Sequence, residues 1–210
     1  MYFGPTGADG HWVVKHPALQ SVQPHEGEYA SHFVQSLVMI AGLRSREEDM
    51  TIAEDQVNAA QQAWCDGLVG IGKVHRAGGD VRAAAVALID GLYDYAEGVV
   101  FFKPTLAHGH QTFRDTAKGA LSYFVGGDPD FANDKGFALK PWARAWYENN
   151  AAENGIQIHG NIAITMGNVY VADYDGNELM VDKTFVFRLC RDQQLRLCVH
   201  KSALPYSPAD

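Results

Sequence analysis

The hydrophobic period of this chain changes once, and that change constrains the fold more than any other feature. Before residue 142 the apolar residues recur at helical spacing; after it they alternate. Ile52, Val57, Ala60, Trp64, Leu68 and Ile71 fall on one stripe, because residues three and four apart share a helix face. Gly78-Gly79 ends that helix, and Asp80 caps a second over 81–95 with Val86, Ile89 and Tyr93 inward. Residues 98–103 read as a short strand stopped by Pro104, and 112–124 as a third helix closed by Gly126-Gly127. Strands then follow over 142–149, 156–164, 167–173, 178–190 and 195–202. Asp175-Gly176 and Arg191-Asp192-Gln193-Gln194 form the turns. This order predicts an α+β domain, a cone-shaped curved antiparallel sheet with three N-terminal helices packed on its concave face. The hollow between sheet and helices is the natural place for a ligand.

Residues 1–49 differ. Pro5, Gly7, Gly10, Pro17 and Pro24 are spread through polar sequence without a sustained period. That predicts a mostly irregular N-terminal extension with one short helix near 32–43. Thr51 with Glu54 three residues later reads as a capping box, so the domain is expected over 50–208. Two readings of the upstream part stay open: translation beginning at Met50, or a linker left from a larger precursor. The longest apolar run, 33–43, is too short for the ~20 residues of a membrane span. It also lacks the basic leader of a signal peptide.

The composition, 47% hydrophobic and 20% charged, is globular. A domain of about 160 residues buries roughly 70% of its unfolded surface, enough for a core without staples. A net charge of −8 and the lack of a Lys/Arg run argue against nucleic acid or an anionic membrane as partner. A small anion in a local pocket stays compatible. Cys65, Cys190 and Cys198 are odd in number and form no C-x-x-C pair, which argues against a disulfide scaffold or zinc ribbon. Cys190 and Cys198 are expected as buried thiols, although a hairpin could bring them face to face.

The last strand carries the most chemistry. Alternation puts Leu195, Leu197, Val199 and Lys201 on one face and Arg196, Cys198, His200 and Ser202 on the other. A His and a hydroxyl roughly 7 Å apart on one face line a pocket, or the His simply bonds neighbouring backbone. His108-Gly109-His110 offers paired imidazoles for a metal with a third ligand from His75, His159, Asp128 or Asp134. Its place after a Pro in a Gly-containing stretch favours a solvated loop. The sequence holds no H-E-x-x-H and no Gly-rich phosphate loop.

Several blocks together resemble a known family. They are 100–105 (VVFFKPT with Val99), Phe113-Arg114, 120–127 (ALSYFVGG), 134–142 (DKGFALKPW), Met166-Gly167, Lys183-Thr184-Phe185 and 199–206 (VHKSALPY). The chain is similar to the iota-class carbonic anhydrases of the nuclear-transport-factor-2-like superfamily, near the calcium/calmodulin-dependent kinase II association domain. The resemblance covers about 50–208. It implies reversible hydration of carbon dioxide to bicarbonate with no metal and no cofactor, and a homodimer. It implies a pocket of Thr105, Tyr123, His200 and Ser202. The family's terminal His-His-Ser-Ser reads His200-Lys201-Ser202-Ala203 here, so the first His and first Ser match. On this reading His200 is base or proton shuttle, because its pKa lies near neutral. Thr105, Tyr123 and Ser202 hold water and bicarbonate oxygens, and Phe101, Phe124 and Phe185 form an apolar wall for carbon dioxide. Relatives carry plastid, secretory or periplasmic leaders; the compartment of this chain is left open. The competing readings are a non-enzymatic association domain, a metal-dependent hydratase using His108 and His110, and an isomerase or cyclase using Asp173 or Asp182 as base.

Overall fold

The computed structural model describes Gln35, residues 51–150 and residues 155–208. The chain divides into two units, 1–46 and 47–210, and the second carries the elements described here. The readings of residues 1–49 lie outside the described residues, except that Gln35 is helical.

Three α-helices and six strands are found among the described residues. The helices are α1 (Glu54–Arg76), α2 (Val81–Leu92) and α3 (Ala117–Val125). The strands are β1 (Phe101–Lys103), β2 (Trp142–Asn149), β3 (Ile156–His159), β4 (Ile162–Asp173), β5 (Glu178–Leu189) and β6 (Leu195–Ala203). They form one open sheet in the order β1-β6-β5-β4-β2, with β3 also on β4. The α+β class is as expected. The sheet is mixed, because β1 lies parallel to β6 while the other pairs are antiparallel. A period of two dictates which face a strand shows, not the direction of its neighbour.

Local chemistry sets the helix ends. Gln56 accepts from the backbone N–H of Ala53 at 2.9 Å, so α1 begins at Glu54 and the expected Thr51–Glu54 box does not form. Ile52 and Val57 are both buried at the positions of a hydrophobic staple, which fixes where the chain enters the helix. Asp80 caps α2 as expected, accepting from Ala83 N–H at 2.9 Å. This helix stops at Leu92, because Tyr93 turns extended and bridges to Leu197. Val86 is exposed rather than inward; Ala85, Leu88 and Ile89 face the core. The third helix starts only at Ala117, capped by Thr116. Residues before it are tied to β1 by Arg114 N–H donating to Phe102 C=O at 2.8 Å.

The phase of β6 is broken once. Val199 pairs with Val186 but Leu197 pairs with Phe187, so Cys198 is one extra residue on β6. Leu197, His200 and Ser202 are therefore all buried, while Arg196 is only half-buried and Lys201 is exposed. Strict alternation put Arg196 and Cys198 beside His200; the bulge corrects this. It lets the apolar first half and the polar second half of β6 face the same interior.

That interior is filled by Trp64, Leu68 and Ile71 of α1, Phe185 and Phe187 of β5, and Leu197. Gly167 of β4 shows how tightly β2 approaches. A Cβ there would meet the carbonyl oxygen of Glu148 at 2.1 Å and Cα of Asn149 at 2.9 Å. Backbone cannot yield as a side chain can. Gly167→Ala is expected to cost roughly 1–3 kcal/mol of stability. Urea denaturation checks this, and an unchanged midpoint would contradict the close approach of β2 to β4.

Candidate active site

The end of β1, the last turn of α3 and the second half of β6 meet on the inner side of the sheet. Parallel pairing sets Phe102 beside His200 and Lys103 beside Lys201. Thr105, two residues past the end of β1, thereby reaches Ser202, and their hydroxyls are 2.5 Å apart. Lys103 clamps the two segments, its ammonium donating to the carbonyls of Ser202 at 3.0 Å and Thr105 at 3.4 Å. Tyr123, on α3, accepts from the Leu106 N–H at 3.4 Å. Burial holds this phenol up at about 12 despite opposing hydrogen bonds from Leu106 and Thr105. All four expected residues are buried: Thr105 is 8% exposed, Tyr123 6%, His200 1% and Ser202 0%.

His200 is not free. Its Nδ1 lies 2.8 Å from the hydroxyl of Tyr93, and its Nε2 lies 2.8 Å from Nζ of Lys183. The Trp64 indole N–H donates to the same Tyr93 hydroxyl at 2.9 Å. The ring stacks on Phe102 at 4.3 Å and meets the edges of Phe185 at 4.8 Å and Trp64 at 5.4 Å. Desolvation, then Lys183, holds its pKa well below the ordinary imidazole range.

Lys183 is the residue that sequence reasoning missed as a site group. It is 3% exposed, faces Ser202 directly across the β5–β6 pair, and sits 4.2 Å over the Trp64 ring. Burial brings its pKa down to about 7; Cys65 opposes the shift and Lys103 adds to it. A signal existed. Val181, Lys183, Phe185, Phe187 and Leu189 are the inward residues of β5, and the one charged residue in such an apolar series is conspicuous.

The wall is as expected for Phe124 and Phe185, both fully buried. Phe101 is corrected. It is 65% exposed, since Phe102 takes the inward position and successive strand residues alternate. Between sheet and helices these packed rings and paired polar groups face one another. A surface depression of about 560 Å³ reaches Lys183 and is lined also by Glu148, Met166, Asn168, Asp182 and Lys201 among others. Asp182 bonds the Asn168 amide at 3.1 Å on that outer face, and Asp173 accepts from Asp175 and Asn177 N–H groups in the turn. Neither carboxylate faces the hydroxyl cluster. His108 and His110 are exposed in a short 3-10 turn region, and no group of three metal-binding side chains occurs among the described residues. Lys201 is exposed and Ala203 half-buried, so both departures from the family's end motif lie away from the hydroxyls. The three cysteines are free and buried.

These shifts fix a pH profile for stability. Burial lowers the pKa of His200 and Lys183 in the fold, so stability is highest with respect to them above 6.5 and 10.5 and is lost as pH falls toward their lower folded values. Cys65, Tyr95, Tyr123 and Tyr147 are raised by burial, so their share is lost as pH rises past 9.0 for the thiol and 10.0 for the phenols. Thermal melts should show a maximum near pH ~9 with decline on both sides. A maximum at pH ~6 would contradict the neutral Lys183–His200 pair.

A profile of the metal-independent carbonic anhydrase family matches residues 55–204. A metal-independent carbonic anhydrase from Nostoc sp. is 45% identical over 168 residues, covering 79% of this chain and 80% of that one. The crystal structure of an iota-carbonic anhydrase from a cyanobacterium, complexed with bicarbonate, is 45% identical with a TM-score of 0.72, covering 76% of this chain and 96% of that one. A putative calcium/calmodulin dependent protein kinase II association domain from Xanthomonas campestris is far more distant, at 17% identity and a TM-score of 0.42, over 69% of this chain and 82% of that one. With the family's profile covering nearly the whole sheet and helix assembly, the chain belongs to the metal-independent, iota-class carbonic anhydrases.

Proposed function

We propose that residues 50–208 hydrate carbon dioxide reversibly to bicarbonate, without a metal, at the cluster of Thr105, Tyr123, His200 and Ser202. The observation that carries this reading is the Thr105–Ser202 hydroxyl pair, 2.5 Å apart, set against a buried aromatic wall. The bicarbonate complex of the cyanobacterial relative supports it. Carbon dioxide is apolar and linear, so Phe102, Phe124 and Phe185 suit it. Charge develops on its oxygens only as water attacks. Hydroxyl donors already fixed in a dry site stabilise that charge without reorganising. Binding exchanges the Thr105–Ser202 hydrogen bond for bonds to substrate oxygens.

Water with a pKa of about 15.7 cannot ionise unaided, so a proton acceptor is required. Both ring nitrogens of His200 are engaged, so its part is to hold its hydrogen-bond partners in place beside the hydroxyls rather than to meet the attacking water itself. A homodimer is the expected assembly. Exposed Met166 and Met180 on the outer face of β4 and β5 support it, and sedimentation measures it.

Stopped-flow hydration assays on chelator-treated protein test the reading. Ser202→Ala and Tyr123→Phe should each lower kcat/KM on the order of 10²-fold with little change in melting temperature. Full activity in either variant would remove that hydroxyl from the mechanism. A parent inactive after chelation would favour the association domain, or a metal-dependent site if metal restores it.

A further inference from the structure

We infer that Lys183, as a neutral amine, is the catalytic proton acceptor for the attacking water, with Trp64, Tyr93 and His200 as its positioning chain. This rests on the reading of the chain as a carbon dioxide hydratase.

Hydrogen-bond direction carries the inference. An indole N–H only donates, so Tyr93 accepts from Trp64. The Tyr93 hydroxyl is fully buried, and its other hydrogen-bond partner is Nδ1 of His200. Its proton must go there, or be left unpaired in the core. Nδ1 is then the acceptor of a neutral imidazole and Nε2 carries the hydrogen. That hydrogen points at Nζ of Lys183, 2.8 Å away. An ammonium has no lone pair to receive it; an amine does. The chain Trp64 to Tyr93 to His200 to Lys183 is complete only with Lys183 unprotonated.

The surroundings agree. From α1, Lys183 faces Trp64 and Cys65, whose thiol burial pushes up to about 12 and so keeps neutral. From β1 it faces the cationic Lys103, and from β6 His200. From β2, Tyr147 donates to the Lys183 carbonyl at 3.4 Å. Its side chain pairs with no carboxylate among the described residues. Burial accordingly brings Lys183 down to about 7. The faces of Trp64 and Phe185 nonetheless make the transient cation tolerable. Lys183 is also the cross-strand neighbour of Ser202, and such pairs hold their Cβ atoms about 5 Å apart. A water held by the Ser202 hydroxyl lies within the amine's reach.

The step balances. Water oxygen bonds to the carbon of carbon dioxide, and one C=O π pair moves onto oxygen. One water proton passes to Nζ, whose single lone pair lets go of the His200 Nε2–H to receive it, giving bicarbonate and the ammonium of Lys183. Release of that proton to buffer restores the amine.

The test uses the full chain after chelation. The hydration kcat/KM of the parent should rise with pH through an apparent pKa near 7, because the amine is the active form. Lys183→Met, equal in length without a base, should lose on the order of 10²-fold or more and the pH limb with it. Added methylamine should restore part of the rate in proportion to its free base, which a merely structural lysine would not allow. A folded Lys183→Met with parental rate and pH limb overturns the inference and leaves the hydratase reading intact. A parent inactive after chelation ends both. If Lys183→Met does not fold, ¹³Cε-lysine spectra of the parent, assigned with Lys183→Arg, decide the matter. A Lys183 resonance titrating near neutrality supports the amine, and one titrating only in the ordinary lysine range overturns it. A carbamate carbon signal on Lys183 under labelled bicarbonate would make it a nucleophile toward carbon dioxide and overturn its role as base.

Discussion

His200 has no route to water, so each of its ring nitrogens needs a protein partner, and much of the domain is arranged to supply them. Tyr93 reaches Nδ1 because α2 stops at Leu92 and the next residue bridges to Leu197. Lys183 reaches Nε2 because β5 and β6 pair in a register that opposes Lys183 to Ser202. Trp64, from the middle of α1, closes the chain on Tyr93. One helix, one helix end and two strands thus meet in a single buried polar network. Such networks are costly unless every member is satisfied; here each of these groups has its partner.

The bulge at Cys198 makes room for this network inside an apolar core. Without it, an inward Leu197 would turn His200 and Ser202 outward, because one residue of slip flips every side chain. With it, Leu195 and Leu197 join the core while His200 and Ser202 line the site. The edge strand β1 then completes the arrangement. Its parallel pairing lays Phe102 on the His200 ring and carries Thr105 to Ser202.

Much of this was legible in the sequence. The helical stripe through Trp64 and Leu68, the strands from Trp142 onward and the sharing of one strand face by His200 and Ser202 follow from residue period alone. The family blocks named Thr105 and Tyr123. Phe101 was misread because the choice between two adjacent phenylalanines depends on which one the parallel partner turns inward. Arg196 and Cys198 were misplaced because a bulge has no signature in an alternating pattern. Lys183 was visible as a charge in an inward apolar series, yet a lysine on a strand ordinarily faces water.

The sequence by itself determined the element types, the α+β class and the polar identity of the last strand, since these rest on spacing between near neighbours. Only the tertiary structure decided that Lys183 and Tyr93 flank His200, that Thr105 touches Ser202, and that burial lowers the pKa of both Lys183 and His200. Those outcomes depend on desolvation and on contacts between residues 17 to 107 positions apart. No local pattern encodes them, because burial strengthens a hydrogen bond and removes a charge only once distant elements have excluded water together.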